Sequence, residues 1–198
     1  MPINYTAEVE TLLKQESEKS EAMSLLHIFS HRKYHSYSIA INVPVIILSS
    51  LIGFLSTIDL RFAQQPIILG ALSIFTGIIK TADSYFDYTK RCESHRLISL
   101  SYKRISKLIQ LQLALERDHR ISASDLLDIV RNDLQNLADA EPMIDQDVIA
   151  FFNKKYKDEP TTKPSITNGL TQVKVVVPRP DAIVEPPTKA TEKPKWKS

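Results

Sequence analysis

His27, His31 and His35 recur at intervals of four, so in a helix all three share one face. Two imidazoles one turn apart can hold a metal ion together. No cysteine or carboxylate ligand accompanies them, and the face leads into an apolar block. Interfacial hydrogen bonding, tuned by pH, is therefore the expected use of these side chains, with no metal. A second cluster, Asp83, Asp87 and Glu93, is interleaved with Lys90, Arg91 and Arg96. That pattern reads as a salt-bridged solvated face, not an acid–base pair. Cys92 is the single cysteine, which excludes an internal disulfide and a cysteine-based zinc site. It reads as a small packing residue, with palmitoylation beside a membrane as the alternative. There are four glycines and no Gly-rich loop, nucleophile elbow or zinc signature. No catalytic site and no cofactor are expected.

The elements that carry these groups flank an unusual block. Ser36 to Ile58 is 23 residues without Asp, Glu, Lys or Arg. About 20 apolar residues let a helix cross a hydrocarbon layer roughly 30 Å thick. The run holds twelve Ile, Val, Leu and Phe residues. Together they favour insertion by roughly 4–7 kcal/mol, and Pro44, read as lying in the first turns, costs little. The second run, Phe62 to Ile79, has 18 residues, nine of them large and apolar, worth only about 3–5 kcal/mol. Paired with the first through a tip of Asp59, Leu60 and Arg61, it becomes the return leg of a hairpin, and the Lys80 ammonium reaches the interface. A buried hairpin inside a soluble bundle is the competing reading. Lys19, Arg32, Lys33, Lys80, Lys90, Arg91 and Arg96 lie near the inner ends of the spans, against Arg61 alone at the tip. That asymmetry predicts an integral membrane protein of two spans with both termini cytoplasmic, and Tyr34 and Tyr37 at the inner interface.

Each span carries a stripe of small or polar residues. Asn42, Ser49, Gly53 and Ser56 fall within about 60° of one another at 100° per residue. Ala63, Gly70 and Gly77 repeat every seven residues, with Ser73 close by. Small residues let helix backbones approach closely. Packing within the hairpin is the plainer use of the stripes; packing between protomers or lining of a polar pore is the other. No ionisable group lies mid-span, which argues against an ion-coupled transporter.

Thr6 to about His35 reads as an amphipathic helix that runs on into the first span. No proline occurs from Ile67 to Arg117, so the second span is expected to continue as one long helix. Its cytosolic stripe is Ile98, Tyr102, Ile105 and Ile109, and it ends near Asp118 to Arg120. Ser122 to Asp125 fits a helix-start box before Leu126, Leu127, Val130, Leu134 and Leu137. Pro142 suits the first turn of a last helix bearing Ile144, Val148, Ile149, Phe152 and Tyr156. An intramolecular bundle with the N-terminal helix is the default cover for these faces, subunit assembly the other. From Asp158 onward seven of the eleven prolines gather among Thr, Lys and Glu, a composition predicting disorder. Thr171 to Val177 (TQVKVVV) is the segment there that would dock a protein partner. The expected divisions are thus an amphipathic helix at 1–35, a hairpin at 36–83 with spans 36–58 and 62–82, cytosolic helices at 84–157 and a tail at 158–198. No secretory signal is expected, because the first 30 residues are charged and amphipathic. A net charge of +2 gives no nucleic-acid signature.

HRKYHSYSIAINVPVIILSSLIGFLS, a short tip, and ILGALSIFTGIIKTADSYFDYTKRCESHRLISLSYKRISKLI together resemble the SLATT superfamily. These are two-transmembrane proteins found beside nucleotide-synthesising and nucleotide-sensing domains in bacterial conflict systems, with relatives in large DNA viruses. The likeness rests on a basic residue before the first span, the Thr76–Gly77 pair, and a post-membrane element matching Glu93, His95, Arg96 and Tyr102. It covers about Arg32 to Tyr156. The resemblance implies an all-α membrane effector that oligomerises and forms a pore or perturbs the bilayer. The tail beyond Lys157 is not part of that pattern, and no nucleotide-sensor domain is fused here. The alternatives are a membrane-anchored scaffold or viral membrane protein whose tail recruits a partner, and a soluble helical adaptor.

Overall fold

The computed structural model describes residues 4–58 and 63–169. Asp59 to Phe62, the expected tip and start of the second span, and residues 170–198, including Thr171 to Val177, lie outside them. The fold is all-α, with no strand among the described residues. Its spine is α1 (Ala7–Ser56), a single 50-residue helix. Thr6 starts it by accepting a hydrogen bond from the Val9 N–H at 3.3 Å, with Glu8 and Glu10 in the first turn. The boundary expected near His35 is therefore a change of surroundings, not a break in the backbone. Pro44 falls deep inside α1 rather than in a first turn, where its missing N–H leaves one carbonyl without its helical donor.

The chain returns through α2 (Gln65–Phe86) and α3 (Tyr88–Ala114). Gln65 closes the hairpin by donating to the Leu55 and Ile58 carbonyls at 2.9 and 2.6 Å. The expected unbroken helix is interrupted at one residue, Asp87, whose φ is 53° and ψ 42°. Its N–H still donates to the Asp83 carbonyl at 2.9 Å, and its own carbonyl accepts from Arg91 at 3.0 Å. Asp is among the few non-glycine residues that visit this left-handed region.

α1 packs antiparallel on α2 and α3 along a seam with a 3–4 spacing. On α1 it runs Leu13, Ser17, Ser20, Ser24, His27 and Tyr34, all buried. On α3 it runs Cys92, His95, Ser99, Tyr102, Ser106 and Ile109. Such a repeat, near 3.5 residues, keeps two helices in continuous contact. The partners descend as α1 ascends: Ser17 meets Ser106 and Ser24 meets Ser99, each at 3.2 Å between hydroxyls. Serines fill little volume and these two pairs satisfy one another, so the seam is close and polar.

α4 (Ala123–Ala140) starts as the sequence suggests, with the Ser122 hydroxyl accepting from the Asp125 N–H at 3.1 Å. Its Leu126, Val130 and Leu137 join Leu13, Ile105 and Ile109 in one core. α5 (Gln146–Lys155) brings Val148, Ile149 and Phe152 onto Ala22 and Leu26 in another. Each large side chain so buried contributes roughly 1.5–3 kcal/mol. Pro142 lies before α5 in the connecting segment, not in its first turn. At the far end Arg117 and Arg120 close on Glu10 at 2.8 and 2.6 Å, after a 3₁₀ turn at Arg117–His119. The first residues of the expected tail fold back: Thr162 donates its N–H to Glu18 at 2.9 Å, and a short α6 (Ser165–Asn168) follows.

Candidate functional site

Two features of this scaffold are chemically distinctive: a polar hub beneath the hairpin, and the outer face of the hairpin itself. The hub forms where α1, α3 and the α4–α5 connection meet. His27 and His95 are 0% and 1% exposed, and their Nδ1 atoms lie 2.8 Å apart. Nε2 of His27 is 2.9 Å from Glu141 Oε1, and the Tyr102 hydroxyl donates to Glu141 Oε2 at 2.8 Å. Tyr34 stacks on His95 with centroids 5.4 Å apart, and its hydroxyl donates to Asp145 at 2.8 Å. Lys33 donates to both Asp145 and Asp147 at 2.7 Å.

Burial opposes ionisation of Glu141, yet the hydrogen bonds from His27 and Tyr102 hold its carboxyl below the usual range. Burial, with His27 beside it, lowers His95 to about 4, so this imidazole is neutral at pH 7. An ionised Glu141 can only accept, so Nε2 of His27 carries a proton. One proton between the two Nδ1 atoms, 2.8 Å apart, completes the hydrogen bond that joins His27 to His95. Burial and the Glu141 carboxylate both raise the Tyr102 hydroxyl. Burial would lower Lys33, but its two carboxylate partners raise it well above the ordinary value. Asp145 is the N-cap residue of α5, and its carboxylate serves Lys33 and Tyr34 instead of the helix amides.

The three histidines thus do not share an interfacial face. His27 points into the bundle, while His31 contacts Cys92 Sγ at 3.1 Å and stacks on the exposed His35 at 5.7 Å. Among the described residues no group of three His, Cys, Asp or Glu side chains has metal-binding geometry. The four residues matched by the resemblance divide: His95 and Tyr102 enter the hub, whereas Glu93 and Arg96 pair on the surface at 2.7 and 2.8 Å. Nor is the acidic trio uniformly solvated. Asp83 is buried, with Oδ2 bound to Lys80 at 2.7 Å and no partner for Oδ1. Asn42 accepts from the same Lys80 ammonium at 2.7 Å, so it ties the base of the hairpin together. Glu141 and Asp145, which organise the hub, carried no sequence signal beyond their place in a connection before α5.

The outer face of the hairpin is apolar. Ile46, Ile47, Phe54, Ile67, Ile74 and Ile78 are each at least 60% exposed. The most apolar 18-residue window of α1 is 0% buried, and that of the continuous α2–α3 unit is 11% buried. Two helices are therefore long and apolar enough to cross a membrane. They meet each other through a narrow line that includes Val45 and Thr76. The small-residue stripes do not lie on that line. Ser49, Gly53, Ser56, Ala63, Gly70, Ser73 and Gly77 are all exposed, and a Cβ added at Gly53, Gly70 or Gly77 would meet nothing within 4 Å. These positions, unlike Asn42 of the same stripe, face away from the contact between the two helices. The chain matches no protein-family model, no curated protein and no solved structure.

Proposed function

We propose that this chain is an integral membrane protein of two spans, both termini cytoplasmic, which self-associates in the bilayer and perturbs it as a SLATT-like effector. The observation that carries the reading is the outward apolar face of the hairpin. In water, so many exposed isoleucines and phenylalanines would make an aggregation surface far larger than soluble monomers tolerate. In lipid the same face is solvated, and the polar seam below it belongs in the cytosol. The exposed glycine and serine faces supply a surface on which second copies can approach closely.

Reconstituted wild type should release ions from liposomes, and Gly70→Leu with Gly77→Leu should reduce that leakage while leaving insertion intact. Membranes that stay tight with wild type, although the protein is inserted, would count against the effector reading. They would favour the anchor, whose C-terminal segment recruits a partner.

A further inference from the structure

A cleft of about 460 Å³ lies between α1 and α5, bounded by Phe29, Arg32 and Lys33 on one side and Asp147, Val148, Phe151 and Lys155 on the other. We infer that it seats the headgroup of an anionic phospholipid on the cytoplasmic face of the membrane. The inference rests on the two-span reading above, which places this end of α1 at the bilayer surface.

The charges in the cleft are unequal in kind. Lys33 and the neighbouring Asp147 neutralise each other at 2.7 Å. The Arg32 guanidinium is exposed and has no hydrogen-bond or ion-pair partner among the described residues. Lys155 has no carboxylate either; its ammonium rests 5.2 Å from the Phe29 ring centroid and 5.5 Å from that of Tyr156. Among the described residues, therefore, two cations face the cleft without a carboxylate partner, while the Asp147 carboxylate that also lines it is taken by Lys33. Below them the wall is apolar: Phe29 and Phe151 pack edge to face at 5.2 Å, and Phe151 remains 52% exposed. Unpaired cations over an exposed aromatic floor suit a ligand that is anionic at one end and apolar at the other.

Position favours a lipid over a soluble anion. Arg32 precedes the uncharged run at Ser36 by four residues, about 6 Å along a helix. The headgroup layer extends roughly 5–8 Å beyond the hydrocarbon. Basic pockets beside membrane helices on the cytoplasmic side hold anionic headgroups by this charge complementarity. The volume suits a small-molecule group, not a protein helix or strand.

The full-length protein in detergent would be titrated with short-chain phosphatidylglycerol and, separately, phosphatidylcholine, with bound lipid counted by native mass spectrometry. Saturable phosphatidylglycerol adducts are expected, about tenfold weaker in Arg32→Gln/Lys155→Gln. They should be unchanged in Lys103→Gln/Lys107→Gln, at the end of α3 beside Ser106. Equal binding in both double variants, equal binding of phosphatidylcholine, or competition by inorganic phosphate as strong as by the lipid would each overturn the assignment. Carbonate extraction of membranes carrying each protein separates the two ideas. Wild type retained in the membrane but without selective adducts sinks this inference alone; wild type released by carbonate removes the two-span reading and this inference with it.

Discussion

His95 illustrates how burial turns an ordinary titratable side chain into a condition on folding. Its pKa in the folded chain is about 4, against roughly 6.5 for an exposed imidazole. Between those values the unfolded chain takes up a proton that the folded chain refuses. Stability is therefore full above pH 6.5 and falls as the pH drops toward 4, by about 3 kcal/mol over the window. Glu141, held below its ordinary value, adds a further loss at the acid end, where its carboxylate must be protonated. Thermal unfolding of the purified protein should show the midpoint declining from pH 6.5 to 4. His95→Gln, which keeps an N–H for His27 but cannot titrate, should flatten that decline. A wild-type profile already level across this range would mean that His95 is not held neutral. The hub itself was only half legible in the residues. His95 and Tyr102 stood out through the family resemblance, and His27 through its spacing. Their meeting with Glu141 depends on a connection folding back from 114 positions beyond His27, which no local pattern encodes.

At the scale of elements, the Asp87 junction between α2 and α3 separates conformational preference from contact. Its side chain is half exposed and, among the described residues, reaches only Lys90, at 3.8 Å, so substitution there tests the backbone. A left-handed residue costs L-amino acids other than Gly, Asn and Asp roughly 1–2 kcal/mol. Asp87→Val should therefore lower the unfolding free energy by about that amount, whereas Asp87→Gly should be neutral or slightly stabilising. Equal effects of the two would show that α2 and α3 straighten when the residue changes. The sequence signalled no break here, since neither Gly nor Pro punctuates the run. The cap at Ser122 was legible because a hydroxyl three residues before an amide is a local arrangement. The α3 side of the α1–α3 seam was legible at Tyr102 and Ile109, but the α1 side was not. That side is largely serine, at Ser17, Ser20 and Ser24, which apolar periodicity does not mark. Pro142 misled because a residue favoured in a first helical turn is also at home in the extended segment leading to one.

Over the whole molecule, polarity is arranged inside out from one end to the other. Around Ser17 to Tyr102 the seam is polar and, apart from the unpartnered Ser30 hydroxyl, hydrogen-bonded, and apolar cores flank it. Around Val45 and Thr76 the contact line is narrow and the apolar residues face outward. A single solvent cannot favour both halves, and that contrast can be tested with substitutions that have opposite consequences in water and in lipid. Ile47 and Ile74 are 60% and 68% exposed, so an arginine at either site would clash with nothing. In a water-soluble fold, such surface changes fall within about ±0.5 kcal/mol and should improve solubility. In a bilayer, each places a charge near the centre of a span, at roughly 2.5–3.5 kcal/mol per arginine. That is most of the 3–5 kcal/mol that favours insertion of the second span. Ile74→Arg should therefore shift the protein from the carbonate-resistant membrane fraction toward the extractable one. Ile47→Arg should do so less, because the first span is the more apolar. Unchanged membrane retention of Ile74→Arg, or wild type recovered as a monodisperse species without detergent, would mean that the outward face of the hairpin meets protein or water instead of lipid.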